Sequence, residues 1–198
     1  MSDLIITDAK LTYMKKPTFI FLTFVINLIF PIWLLSQETN ENTSCKLEVL
    51  DYPRSLDQLL KKFEGKVVYI DIMASWCKPC LMELKELKKL QSYFEEKNIV
   101  KLYISIDNKE DIEKAVMMIQ KDSLDGYFIS YHPPKEQNTR SSFPKEIETL
   151  FMTDEHGNPS ITIPTYAIVN KKGEIVEKRA ERPSNSTSLK EQLEKYIE

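Results

Sequence analysis

Only three cysteines and two histidines occur in the 198 residues. Three thiols cannot frame a disulfide-built mini-protein, and a chain of this length, 42% hydrophobic, buries an ordinary core without staples. Basic charge is equally short: 27 Lys and Arg stand against 30 Asp and Glu, so nothing is left over for a nucleic-acid backbone. There is no internal repeat, no low-complexity tract, no second C-x-x-C and no H-x-x-x-H pair. A zinc site would have to gather Cys77 and Cys80 with Cys45, His132 or His156, and the two histidines read as exposed loop residues beside Pro133 and Gly157. What remains is one globular domain with a tail and a single close pair of cysteines.

The tail holds the one long apolar run, Phe19 to Leu35, about 17 residues broken only by Thr23, Asn27 and Pro31. Lys15 and Lys16 precede it and Glu38 and Glu41 follow, a polarity that sends the rest of the chain across a membrane. A retained membrane anchor and a signal peptide cleaved near Ser36 both meet these facts. Met14-Lys15-Lys16 also reads as a signal start, which leaves Met1 and Met14 as alternative initiation sites. Residues 1–36 are thus expected to be n-region and targeting segment, 37–46 a polar linker, and 47–198 the folded domain. Cys45 is expected to be an unpaired linker thiol, since Asn42-Thr43-Ser44 before it does not suit a lipidation signal.

Within the domain, Ser55 with Gln58 caps a short helix that ends at Gly65. Lys66–Ala74, "KVVYIDIMA", is an apolar run interrupted only by Asp71, the pattern of a strand covered on both faces. Leu81, Leu84, Leu87, Leu90 and Phe94 then predict one amphipathic helix over Pro79–Lys97. A strand over Ile99–Asp107, a helix over Asp111–Lys121 and a strand in "GYFISY" continue the alternation. The 132–158 segment reads as a connection carrying one helix, Pro144–Phe151, and a turn at Gly157-Asn158-Pro159. Two β-rich runs around Lys172-Gly173 form a hairpin, and Ser188 with Glu191 caps a last helix. Strand-helix alternation followed by a hairpin predicts an α/β fold with a central mixed sheet flanked by helices.

The chemistry centres on "ASWCKPCLME". A strand ending at Ala74 and a helix beginning near Cys77 put the first cysteine at a helix N-terminus, where unpaired N–H groups favour a thiolate. Cys80 lies one turn on, close enough to close a small disulfide ring, and Pro79 is tolerated in a first turn. Lys78 adds positive charge beside Cys77. Cys77 is then the exposed nucleophile and Cys80 the covered resolving thiol, which must lose a proton when a mixed disulfide is resolved. Asp71, a carboxylate inside an apolar strand, suits that role through a pKa raised by desolvation, and Glu83, one turn after Cys80, is a second candidate.

"VVYIDIMASWCKPC" together with "IPTYAIVNKKGEIV" resembles the thioredoxin superfamily, and the added "CLME" resembles its membrane-associated TlpA-type branch. The resemblance spans roughly Leu47 to Ile197. It implies a cis bond before Pro164 beside the disulfide, and a backbone at Ile163 that accepts an extended stretch of a target protein. It also implies roles for Asp71 as the buried acid, Glu83 as the branch's glutamate and Trp76 as the aromatic flanking the nucleophile. Trp76, Lys78, Pro79, Ile163 and Pro164 make up the expected substrate-facing set. Two departures stand out: Lys85 replaces the branch's helix proline, so the helix is expected to be straighter, and Lys-Pro replaces Gly-Pro between the cysteines. The Pro-Thr-Cys setting of peroxidases with this fold is missing.

The resemblance therefore implies a thiol-disulfide oxidoreductase outside the cytoplasmic membrane, in a bacterial periplasm or on the membrane's outer face. It would reduce disulfides of exported proteins, cytochrome apoproteins among the familiar targets, with no cofactor beyond the Cys77–Cys80 disulfide. A transmembrane electron donor would recharge it. A disulfide-donating oxidase, and a tethered binding module with a structural disulfide, are the alternatives.

Overall fold

The computed structural model describes residues 46–133 and 141–197. The apolar run, the cleavage position and Cys45 lie outside the described residues, as do residues 134–140 of the 132–158 connection. Among the described residues no helix is long and apolar enough to cross a membrane.

Six strands form a mixed sheet: β1 (Leu47–Val49), β2 (Val68–Met73), β3 (Val100–Ser105), β4 (Gly126–Ser130), β7 (Thr165–Val169) and β8 (Ile175–Glu177). Their order is β1-β4-β3-β2-β7-β8, with β1 to β4 mutually parallel and β7 and β8 antiparallel to their neighbours. A separate two-stranded ribbon pairs β5 (Met152–Thr153) with β6 (Pro159–Ser160). The helices are α1 (Leu56–Lys61), α2 (Lys78–Lys89), α3 (Gln91–Glu96), α4 (Ile112–Lys121), α5 (Phe143–Glu148) and α6 (Ser186–Ile197). This is a thioredoxin-like α/β fold.

Every residue of β2 and β3 is buried, as expected of strands covered on both faces. Alternation divides them. Val68, Ile70 and Ile72 face a core completed by α1 and α5, while Tyr69 and Met73 face one completed by α2, α3, α4 and α6. Asp71, between Tyr69 and Met73 in the pleat, belongs to that second face. Leu84 and Leu87 of α2 are fully buried there, and truncating either to alanine would cost about 2–5 kcal/mol.

Local chemistry explains most boundaries. Gln58 donates its N–H to Ser55 Oγ at 3.0 Å and accepts from Arg54 N at 2.7 Å, closing the cap of α1 in both directions. The single helix predicted over Pro79–Lys97 is instead two, broken at Leu90. Leu81, Leu84, Leu87 and Leu90 are spaced by three, and keeping all of them on the core tightens the helix until Leu90 N–H bonds Leu87 O at 3.0 Å. Lys85 leaves α2 unbroken at its own position. The last helix begins at Ser186, ahead of the expected Ser188, because Asn185 O accepts the first intrahelical bond from Leu189. The connection expected to carry one helix carries α5 and the β5–β6 ribbon.

At Gly126 a side chain is sterically forbidden: φ is +130°, and a Cβ would meet Lys101 O at 2.6 Å and the Tyr103 ring at 3.1 Å. The space is taken by the buried Lys101, whose ammonium pairs with Asp125 and lies 5.5 Å from the Phe94 ring centre.

Candidate active site

β2 delivers its C-terminal end into the turn Ala74-Ser75-Trp76, closed by a 3.1 Å bond from Cys77 N–H to Ala74 O. Asp107, fully buried just past β3, fixes that turn: it accepts from Ser75 N at 2.8 Å, Ser75 Oγ at 2.7 Å and Ser105 Oγ at 2.6 Å. In the sequence Asp107 looks like a strand end and nothing more. Replacing it with alanine strands the donors of Ser75 and is expected to cost about 2–4 kcal/mol of stability, read from the urea midpoint. Asn, which keeps one acceptor oxygen, should lose less.

Cys77 is the N-cap of α2, with extended backbone (φ -81°, ψ 95°), and its Sγ accepts the Cys80 N–H at 3.2 Å. Pro79 occupies the first turn. The two sulfurs are bonded, S–S 2.02 Å, with the Cα atoms 5.3 Å apart. When the disulfide opens, that N–H and the helix N-terminus favour negative charge on Cys77. The expected difference in exposure is small: Cys77 is 4% exposed and Cys80 1%. The Cys77 sulfur turns inward to accept its hydrogen bond and packs in one cluster with Met73, Cys80 and Leu84. Around it Trp76 is 64% exposed, and Lys78 and Pro79 are exposed.

The Ile163–Pro164 bond is cis. Thr165 pairs with Ile72, so Pro164 stands across from Met73, at the end of β2 that leads to Cys77. Ile163 and Pro164 are half-buried, and the Thr165 hydroxyl donates to Thr162 O.

Asp71 is 2% exposed, and its Oδ1 has no hydrogen-bond partner among the described residues. Burial first, and then the charge of Glu83, push its pKa up to about 8. Glu83 is also buried: both oxygens are taken by Ser184, Oε2 by its N–H and Oε1 by its hydroxyl, each at 2.8 Å. Arg182 stands 3.8 Å from Oε1.

Two tyrosines complete the polar face and were not singled out in the sequence. Tyr166, register partner of Asp71, stacks on Tyr69 with ring centres 5.4 Å apart. Its hydroxyl has no partner among the described residues, and burial, then Asp71 and Glu83, push its pKa up. Tyr69 donates to Glu181 O at 2.8 Å. Period-two alternation from Pro164 through Tyr166 is the signal that could have found the first; Ser184 and Arg182, about a hundred residues from Glu83, carry none.

Of the residues weighed for zinc, Cys77 and Cys80 are bonded to each other and Cys45 lies outside the described residues. His156 is exposed beside Glu155, His132 is half-buried edge-on against Tyr131 at 5.0 Å, and among the described residues no His, Cys, Asp and Glu cluster could hold a metal.

A Cys-x-x-Cys disulfide at the N-terminus of a helix, reached from a strand that buries an acid, defines a thioredoxin-like protein with a redox-capable pair. The chain belongs to the Redoxin family, whose model matches residues 46–194. It is 25% identical over 118 residues to the thiol-disulfide oxidoreductase ResA of Oceanobacillus iheyensis, covering 60% of this chain and 51% of that one. It is 24% identical over 139 residues to the ResA of Bacillus cereus, covering 70% and 66%. The chain thus spans between half and two thirds of these relatives' length. In fold it is similar to a candidate thiol:disulfide interchange protein DsbE from Chlorobium tepidum, with TM-score 0.51, 20% identity, and 70% of this chain and 85% of that one covered.

Proposed function

We propose that the protein is a thiol-disulfide oxidoreductase that reduces disulfides of exported proteins. The observation that carries this reading is Cys77 at the N-cap of α2, its sulfur bonded to Cys80 and accepting the Cys80 N–H, with Asp71 buried on the strand that leads to it. Starting from the dithiol, the Cys77 thiolate attacks one sulfur of a target disulfide, and the other target sulfur leaves with the electron pair and takes a proton. Asp71 then accepts the Cys80 proton, Cys80 attacks Cys77 Sγ, and the remaining target sulfur departs as a thiol. The target is reduced by two electrons and Cys77–Cys80 becomes a disulfide. Exposed Trp76, Lys78 and Pro79, with the backbone at Ile163 before cis-Pro164, form the docking edge for an extended target segment.

The site of action in this reading is the outer face of a bacterial cytoplasmic membrane or the periplasm, as in the TlpA-type branch. Residues 19–35 serve as anchor or are removed near Ser36, and a transmembrane donor supplies electrons; the charge pattern around the apolar run supports this. The reduction potential, measured by glutathione equilibration, tests the direction. We expect about -230 mV or lower; a value near about -120 mV would make the protein a disulfide donor.

A further inference from the structure

We propose that Ser184 is a positioning residue: the segment entering α6 grips both oxygens of Glu83 and holds its charge against the face that carries Asp71, so Glu83 acts through Asp71 and is not itself the proton acceptor. The inference rests on the oxidoreductase reading for its role in exchange, and on contacts for its geometry. Glu83 sits on α2 one turn after Cys80, yet it is 7% exposed, where a carboxylate at a helix surface would turn to water. It stays because Ser184 gives it two donors at 2.8 Å, one from the backbone and one from the hydroxyl. Arg182, at 3.8 Å and 58% exposed, adds a charge that water largely screens.

The same segment is itself fixed. Glu181 N–H donates to Gln192 Oε1 at 2.8 Å, and Glu181 O accepts the Tyr69 hydroxyl at 2.8 Å. The register partners of Asp71 are Tyr103 on β3 and Tyr166 on β7, Tyr69 precedes it on the same face of its strand, Cys80 packs in the cluster that holds these tyrosines, and the charges of Glu83 and Arg182 reach Asp71 and Tyr166 respectively. At neutral pH the tyrosines and the disulfide-bonded Cys80 carry no charge. Glu83 is the side chain whose charge raises the Asp71 pKa, and Asp71 Oδ1 has no hydrogen-bond partner among the described residues to offset it. Exchange needs Asp71 to take up the Cys80 proton and to return it when Cys80 leaves as a thiolate. A Glu83 held in place makes Asp71 keep its proton more tightly; a Glu83 free to swing outward lets it go.

The test is the carboxyl ¹³C titration of Asp71 in the oxidised full chain in detergent. Ser184→Ala removes the hydroxyl and leaves the backbone bond. It is expected to lower the Asp71 midpoint by about half a pH unit or more, and Glu83→Gln by at least as much. Ser184→Thr should restore the parent midpoint, and Ser184→Ala should add nothing in the Glu83→Gln background. An unchanged midpoint in folded Ser184→Ala, or an equal shift in the Glu83→Gln background, would overturn the proposal. The titration uses no substrate, so it fails separately from the functional reading: a parent without turnover removes the oxidoreductase and leaves the clamp, while an active parent with an unmoved midpoint removes the clamp.

Discussion

Replacing Cys77 by serine is expected to lower turnover in a dithiothreitol-driven insulin reduction assay by roughly 10³-fold or more, down to the uncatalysed rate. The hydroxyl that replaces the thiol does not ionise near neutral pH, so neither the N-terminus of α2 nor the Cys80 N–H at 3.2 Å has a charge to stabilise. Fold stability should change far less than turnover, since serine can still cap the helix. A binding module with a structural disulfide would behave in the opposite way: there would be no turnover to lose and partner capture would persist, while the loss of the cross-link, about 2 kcal/mol or less for so short a ring, is common to both readings.

Asp71→Asn is the second large effect, and it separates activity from stability. General base catalysis is typically worth 10²–10⁴-fold, and with a pKa of about 8 only about a tenth of the molecules have Asp71 ionised at pH 7. Resolution of the mixed disulfide should therefore rise with pH toward a plateau above about 8 in the parent. In Asp71→Asn it should be slower by roughly 10²-fold, and that pH dependence should vanish. Stability moves the other way. The folded pKa lies above the ordinary carboxyl value of 3.8, so between about 4 and 8 the unfolded chain releases a proton that the folded one keeps. Stability then falls as pH rises, by up to about 1.4 kcal/mol per pH unit from this group. Chemical denaturation from pH 4 to 9 should show that slope in the parent and a flatter profile in Asp71→Asn, with the variant the more stable at pH 8.

What could be read from the sequence was local. The C-x-x-C pair at a strand-to-helix junction, one carboxylate in an apolar strand and leucines at helical spacing each depend on a few neighbouring residues, and they lead to α2, β2 and the buried position of Asp71. The rest depends on residues far apart. Glu83 reads as a candidate base, but its burial shows only when residue 184 is brought to it; Asp107 reads as a strand end until Ser75 folds over it, and Tyr166 reads as ordinary β-sheet sequence until register sets it beside Asp71. Even the break at Leu90 comes from competition between helical period and core position, and the leucine spacing alone did not show which would prevail.

The most direct test of the exchange chemistry is covalent capture. The full-length Cys80→Ser chain, reduced and then mixed with a disulfide-bearing protein in detergent, should give a mixed disulfide in near-stoichiometric yield. It should be released by dithiothreitol, and peptide mass spectrometry should map it to Cys77. Absence of an adduct, or an adduct on Cys45 with Cys77 unmodified, would contradict Cys77 as the nucleophile and with it the proposed function.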